Sequence, residues 1–172
     1  MQKNASLTLE KVSETSDLRR TFGCFPSGVA AVCAIAPDAP VGLIVSSFTS
    51  VSIDPPLVSI CIMRDSRRWK RLRVSDRLGV SFLGNGQEQV CRRFTGPPEN
   101  GFEGLEIEQT NEGAVFLSDA TALLDCSVYE EVDAGDHTIV LLKIEALQAR
   151  PTRSPLVFHN SKFHELAPQV AS

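Results

Sequence analysis

The chain has 172 residues, 42% hydrophobic and 22% charged, a composition typical of a globular protein with one domain and a real core. Its net charge of −4 gives no electrostatic argument for nucleic acid or an anionic membrane as a partner. No apolar stretch is long enough to cross a bilayer, and the first residues lack the apolar core of a secretory signal, so we expect a cytoplasmic protein.

The order of elements predicts a mainly β protein. Residues 1–15 are polar, and we expect a flexible segment there, followed by one domain at 16–168. Helices are predicted from the N-cap Ser16 to before Pro26, and at 66–75 and 87–94. Strands are predicted at 28–36, 41–53, 57–63, 77–84, 105–110, 121–132, 137–150 and 155–160, with a hairpin turn at 133–136.

These strands do not alternate regularly with helices, which argues against a doubly wound parallel sheet. These strands with two or three short helices fit a closed or partly open antiparallel barrel better. We therefore expect one barrel domain rather than two separate units.

The cysteines and histidines show no metal-binding pattern. The five cysteines include no CxxC pair, and Cys33, Cys61 and Cys126 lie in apolar runs typical of strands. We interpret these three as small buried side chains in a reducing compartment. Because no cluster of His, Cys, Asp or Glu has the spacing of metal ligands, we expect no structural zinc.

Motifs for conventional catalysis are missing from the sequence. The glycines Gly84 and Gly86 begin a GxGxxG pattern, but Gln89 stands where the third glycine belongs. There is no P-loop and no GxSxG elbow. This leaves two classes open: a binding protein, or an enzyme whose cofactor carries the chemistry.

The segment VGLIVSSFTSVSIDPPL, residues 41–57, combines strand-like residues with many hydroxyl groups. A buried hydroxyl needs a hydrogen-bond partner, because without one its burial costs free energy. Two interpretations remain open on these residues alone. The hydroxyls bond to neighbouring backbone near a sheet edge, or they line a cleft that binds a polar, planar ligand.

Four motifs resemble one known family over about residues 18–166. They are FPSGVAAVCA, GLIVSSFTSVSIDPPLVSICI, RLGVSFL and GDH, and the ungapped block SSFTSVSIDPPL is the most specific of them. Together they resemble the flavin reductase family, the short-chain FMN-binding split barrels that supply reduced flavin to two-component monooxygenases. The resemblance implies an antiparallel split β-barrel of Greek-key type. Phe163 stands where relatives often carry Tyr, a departure from the family pattern.

The resemblance also implies site residues. Val45, Ser46 and Ser47 are expected to contact the flavin ring and its ribityl chain, and Ser27 to lie close to the ring. The pocket wall is expected to be shaped by Ser52 and by the turn at Asp54, Pro55 and Pro56, with Phe94 covering part of the flavin. In the GDH motif, His137 is expected to face the nicotinamide. It would donate a hydrogen bond to the carboxamide or help set the proton balance at the flavin. Asp136 is expected to shape the turn or to orient the imidazole.

A basic segment is a candidate phosphate site. Residues 64–73 hold six basic residues and one acid, a local charge of +5 in an acidic protein. Ser66 is predicted as the N-cap of a helix there, and Arg67 follows it, so both are candidates to hold a flavin phosphate. A solvated helix face is the alternative interpretation. Arg92 and Arg93 are further candidates.

The function implied by the resemblance is NAD(P)H:flavin oxidoreduction. The expected cofactors are FMN or FAD, with NADH or NADPH as electron donor, and no metal. The expected partners are a second copy of the chain, in a homodimer, and a monooxygenase component that receives reduced flavin. A non-enzymatic flavin- or haem-binding split barrel, acting as carrier or sensor, is the alternative; the GDH motif favours the enzyme.

Overall fold

The computed structural model describes residues 7–36, 39–96 and 101–166. Within these ranges it contains three helices, α1 (Thr15–Gly23), α2 (Arg67–Leu72) and α3 (Glu88–Thr95). The strands in the same ranges are β1 (Ser27–Gly28), β2 (Ala30–Ile35), β3 (Pro40–Val45), β4 (Thr49–Ser52), β5 (Leu57–Met63), β6 (Leu78–Phe82), β7 (Ile107–Gln109), β8 (Val115–Leu117), β9 (Ala122–Ala134), β10 (His137–Ala149), β11 (Leu156–His159) and β12 (Lys162–Glu165).

One large antiparallel sheet forms the barrel. Its seven strands follow the order β3-β2-β6-β9-β10-β5-β4. The edge strand β3 also contacts β5 near the opposite edge, so the sheet curls back on itself. The predicted mainly β, antiparallel split barrel is therefore confirmed. Two smaller sheets, β1-β11-β12 and β7-β8, lie outside this barrel.

The barrel interior is filled by the alternating inward side chains of these strands. Val32, Ile60, Val80, Val140 and Leu142 have no measurable exposure. A second apolar cluster packs α3 and β11 against the outer face of β2, through residues such as Val29, Cys33, Val90, Phe94 and Leu156. This second cluster positions α3 beside the end of β3.

Three details of the sequence prediction are wrong. The stretch 41–53 is not one strand, because it breaks at residues 46–48 between β3 and β4. The first helix begins one residue before Ser16, after Glu14, and no side chain caps it. The short strands β1, β8 and β12 were not predicted.

Cysteine burial is a further correction. Cys33 and Cys126 are fully buried as expected, but Cys61 is exposed because it points outward from β5. Burial raises the pKa of all three buried thiols, to about 11 for Cys91 and about 12 for Cys126. In the described residues no group of three His, Cys, Asp or Glu side chains is arranged to hold a metal ion. Nor does any helix there have the length and apolarity to cross a membrane.

Candidate functional site

The break between β3 and β4 carries the first element of the site. There the hydroxyl of Ser47 accepts a hydrogen bond from the Cys61 N–H at 2.8 Å and donates one to the Cys61 carbonyl at 3.2 Å. The Ser47 hydroxyl thus satisfies both backbone groups of Cys61, which the backbone of a neighbouring strand would otherwise pair, at the point where the barrel closes. This local backbone bonding is the first of the two interpretations left open above, and it accounts for Ser47.

Ser46 has a different environment. It is exposed and makes no side-chain hydrogen bond to any other described residue. It lines a cleft of about 300 Å³ between α3 and the β11–β12 hairpin. The remaining lining residues are Val29, Ile44, Cys91, Arg92, Thr95, Phe158 and Phe163. The cleft therefore combines apolar and aromatic walls with a hydroxyl and one cation.

A second cleft shares the lining residue Val29 with the first one. It measures about 170 Å³, and its walls include Gly28, Phe48 and Phe82. The rings of Phe48 and Phe82 pack edge to face with centroids 4.5 Å apart. A Cβ added at Gly28 would have no heavy atom within 4 Å, so the backbone there is open to a flat ligand. Ser27 is half-buried and pairs with Phe158, at the margin of both clefts.

His137 begins β10, on the outer face of the barrel. It pairs with Met63 on β5, and two residues along the same strand Ile139 pairs with Cys61. Directly paired residues share one face of a sheet, so His137 lies on the face of Cys61, about 7 Å along β5. His137 thus neighbours the Ser47 contact but lines neither cleft.

The imidazole of His137 is held by the residue before it. Nδ1 of His137 lies 2.7 Å from a carboxylate oxygen of Asp136. This hydrogen bond lowers the pKa of the Asp136 carboxyl. The contact is the arrangement expected if Asp136 orients the ring, and it leaves Nε2 of His137 for another partner.

The expected pocket wall at the Pro-Pro turn lies elsewhere in this protomer. Ser52 pairs with Leu57 at the first residue of β5, whereas Met63, the last residue, pairs with His137. Six residues of strand place these ends roughly 20 Å apart. Ser52, Asp54 and Pro55 are therefore not brought together with His137 in one chain. The bond between Asp54 and Pro55 is cis.

The basic segment forms α2, as predicted. The hydroxyl of Ser66 accepts a hydrogen bond from the Trp69 N–H at 3.2 Å, which confirms Ser66 as the N-cap. Arg67 is exposed. The side chain of Arg68 turns inward instead and donates to the carbonyls of Gly42, Phe94 and Gly96. Part of the local positive charge therefore fastens α2 to β3 and α3.

Val45 and Phe94 are core residues in this structure. Val45 is 7% exposed and Phe94 is 3% exposed. The ring of Phe94 lies against Gly42, where an added Cβ would come within 2.6 Å of it. Any contact of these two residues with a ligand is thus limited to their backbone or a ring edge. Sequence reasoning gave no role to Phe158, which lines the first cleft. It counted Arg64 only among the basic residues at 64–73, whereas Arg64 contacts the turn before His137.

Comparison with known proteins identifies the class to which this barrel and its clefts belong. Residues 22–167 match the model of the flavin reductase like domain. A flavin reductase of Pseudomonas putida is 33% identical over 95% of this chain and 96% of its own. The chain belongs to the flavin reductase like domain family.

Two further relatives carry more specific names. The reductase subunit HsaB of a flavin-dependent monooxygenase from Mycobacterium tuberculosis is 30% identical over 88% of this chain and 82% of its own. The NADH:FAD oxidoreductase SgcE6 of Streptomyces globisporus, solved in complex with NAD and FAD fragments, superposes with a TM-score of 0.85 at 34% identity. That match covers 94% of this chain and all of SgcE6.

Proposed function

We propose that the chain is an NAD(P)H:flavin oxidoreductase that supplies reduced flavin to a separate monooxygenase. The observation that carries this function is family membership over residues 22–167, with flavin reductases among the relatives that match nearly end to end. The monooxygenase partner is supported by the likeness to HsaB, a subunit of such a system.

The residues at the first cleft fit a flavin. A flavin ring has one apolar edge and one edge of hydrogen-bonding heteroatoms, and its side chain carries hydroxyls and phosphate. The cleft offers Phe158 and Phe163 as apolar walls, Ser46 as a hydroxyl and Arg92 as a cation. The open backbone at Gly28 adds a flat surface beside it. This donor set supports placing the flavin along residues 45–47, with Ser27 at its margin.

A bound flavin supplies a two-electron acceptor for the hydride of NADH or NADPH, so the protein needs no nucleophile of its own. What the chain has to do is hold two rings in contact and exclude water between them. In this proposal Ser46 and the backbone of 45–47 orient the flavin ring. Nε2 of His137 hydrogen-bonds the nicotinamide carboxamide, while Asp136 accepts from Nδ1 and keeps the imidazole in place. Ser66 and Arg67 remain candidates for the phosphate, through charge and hydroxyl contact.

A homodimer is part of the same proposal. The outer face of β5, β10 and β9 around His137 is apolar and uncovered: Met63 is 54% exposed and Val132 is 43% exposed. Ile139 and Cys61 lie on the same face. A second copy packed there would cover these side chains and bring a distant element such as the turn of Asp54 and Pro55 to the site. We also propose a cytoplasmic location, where reduced nicotinamide is available and free thiols persist.

The experiment is anaerobic mixing of purified protein, FMN or FAD, and NADH or NADPH. Absorbance of the flavin band is followed with time, and the same mixture without protein is the control. The proposal predicts protein-dependent bleaching of the flavin. Flavin binding without bleaching above the control would instead identify a carrier or sensor, and absence of both would reject the site.

A further inference from the structure

We propose that Arg64 is a positioning residue for His137: its guanidinium fixes the hairpin turn that carries the imidazole. This inference rests on the proposed function, because it assigns a role in nicotinamide binding to a residue outside the GDH motif. It predicts that Arg64 acts only through His137 and not by touching the flavin.

The turn needs support because neighbouring strands hold it on one side only. Strand β9 pairs with β6 only from Ala122 to Cys126, so its remaining residues up to Ala134 pair with β10 alone. On the other side β5 ends at Met63, opposite His137. The β10 side of the tip is thus paired with β5 along residues 137–143, whereas the β9 side pairs with no further strand of the described residues and is the edge of the sheet.

Arg64 is the first residue after β5 and contacts the tip at three points. Its backbone N–H donates to the Asp136 carbonyl at 3.1 Å. Nη1 of its guanidinium donates to the Gly135 carbonyl at 3.3 Å. Nη2 lies 3.3 Å from a carboxylate oxygen of Asp133. The two ends of one planar group therefore hold the turn across the residues that precede His137.

The turn itself passes this restraint on to the imidazole. Ala134 pairs with His137, so the loop has only two residues, and Gly135 has φ 65 at the first of them. Glycine at that position suits the tight two-residue turns that join the strands of a β-hairpin. Because the ring of His137 is held by Asp136 of the same turn, a displacement of the turn moves ring and orienting carboxylate together.

The chemistry favours arginine at this position. Arg64 and Asp133 are both exposed, so their ion pair alone contributes little to stability. A guanidinium presents several donors in a fixed plane and reaches a carbonyl and a carboxylate at once, whereas an ammonium is a single point charge. Lysine at position 64 is therefore expected to restore only part of the effect.

The test compares Arg64→Ala, Arg64→Lys and a matched control, Arg73→Ala. Arg73 also joins the α2 region to β9, through Glu131 at 3.1 Å, but does not contact the turn. For Arg64→Ala we expect the KM for NADH to rise about three- to tenfold, the scale of one or two surface hydrogen bonds. The kcat, the flavin Kd and the melting temperature should stay close to wild type. The KM for NADH of Arg64→Lys should lie between those of wild type and Arg64→Ala, and the KM of Arg73→Ala should match wild type.

A double-mutant cycle makes the test decisive. In a His137→Ala background, Arg64→Ala should change the KM for NADH by less than twofold, because its effect runs through the imidazole. A full additional loss in that background would overturn the proposal. So would an unchanged KM in the single variant, or a loss of flavin affinity, which would make Arg64 a ligand contact. A wild-type protein that oxidises no NADH would instead overturn the proposed function, and the positioning role with it.

Discussion

The side chain of Ser47 replaces a strand partner for Cys61. Its hydroxyl is both acceptor for the Cys61 N–H and donor to the Cys61 carbonyl, at 2.8 and 3.2 Å. The neighbouring Ser46 is exposed and lines the cleft. Two adjacent serines in one motif therefore have separable tasks, because one closes the barrel and the other faces the proposed ligand.

Substitution of each serine by alanine should separate these tasks. Ser47→Ala should lower the free energy of unfolding by about 1–2 kcal/mol, because it removes two hydrogen bonds to β5. Ser46→Ala should change it by less than about 0.5 kcal/mol, as an exposed substitution does, but should weaken flavin binding. Urea unfolding and flavin fluorescence titration measure the two quantities. An equal loss of stability in both variants would contradict the separate roles of Ser46 and Ser47.

His137→Ala should impair the use of NADH more than the binding of flavin. The loss of one hydrogen bond worth about 1.5 kcal/mol predicts a fall of about tenfold or more in kcat/KM for NADH. Steady-state kinetics with NADH and a flavin titration provide the two numbers. His164→Ala, which removes an exposed imidazole on β12, is the control. If flavin affinity falls tenfold in His137→Ala while KM is unchanged, the imidazole belongs to the flavin site.

The turn between β11 and β12 offers a stability prediction. Asn160 and Ser161 join the paired residues His159 and Lys162, with φ values of 49 and 60. This left-handed region disfavours a side chain such as serine, and Asn-Gly is the preferred sequence for such turns. Ser161→Gly should therefore raise the free energy of unfolding by about 0.5–1 kcal/mol.

The opposite substitution, of glycine by a residue with a side chain, can be tested in the β9–β10 hairpin. Gly135 also has a positive φ, 65, so Gly135→Ala should destabilise by about 1 kcal/mol. Both variants are compared with wild type by urea unfolding. A loss of stability in Ser161→Gly would mean that the serine side chain stabilises its turn.

Thiol reactivity should follow the burial of the five cysteines. Cys24 and Cys61 are exposed, whereas Cys33, Cys91 and Cys126 are buried with raised thiol pKa values. Because the thiolate is the reactive form, Ellman's reagent should titrate two thiols in the native monomer and five after denaturation. A homodimer that covers Cys61 should protect that thiol until the dimer dissociates. Rapid reaction of a third thiol would show that α3 or a core strand opens readily.

Local patterns were enough to predict several parts of this structure. The strand at 57–63 was predicted at its observed bounds from its apolar, strand-like run, and in the structure Val58, Ile60 and Ile62 are buried. The cap Ser66 was predicted because capping acts within one helical turn. The β9–β10 hairpin was predicted from the glycine and aspartates of its turn.

Long-range contacts explain what could not be predicted. The break after Val45 depends on Cys61, which is 14 residues from Ser47. The burial of Phe94 depends on the absence of a side chain at Gly42. The guanidinium of Arg64 contacts Asp133 and Gly135, which are 69 and 71 positions further along the chain. None of these pairs leaves a periodic signal in the sequence.

The site residues differ in the same way. Ser46 and His137 were expected at the site; Ser46 lines the first cleft, and the side chain of His137 is 41% exposed. Ser52, Asp54 and Pro55 were expected to shape the pocket wall, but they lie at the end of β5 that is remote from His137. One protomer cannot bring the two groups together, so the expectation for the Pro-Pro turn now depends on the proposed second copy.

The most direct measurement is a crystal structure of the protein with bound FMN or FAD. The account predicts the isoalloxazine ring in van der Waals contact with residues 45–47, with the Ser46 hydroxyl within hydrogen-bonding distance of the ligand. Well-defined flavin bound elsewhere, with the cleft beside Ser46 filled only by solvent, would contradict it.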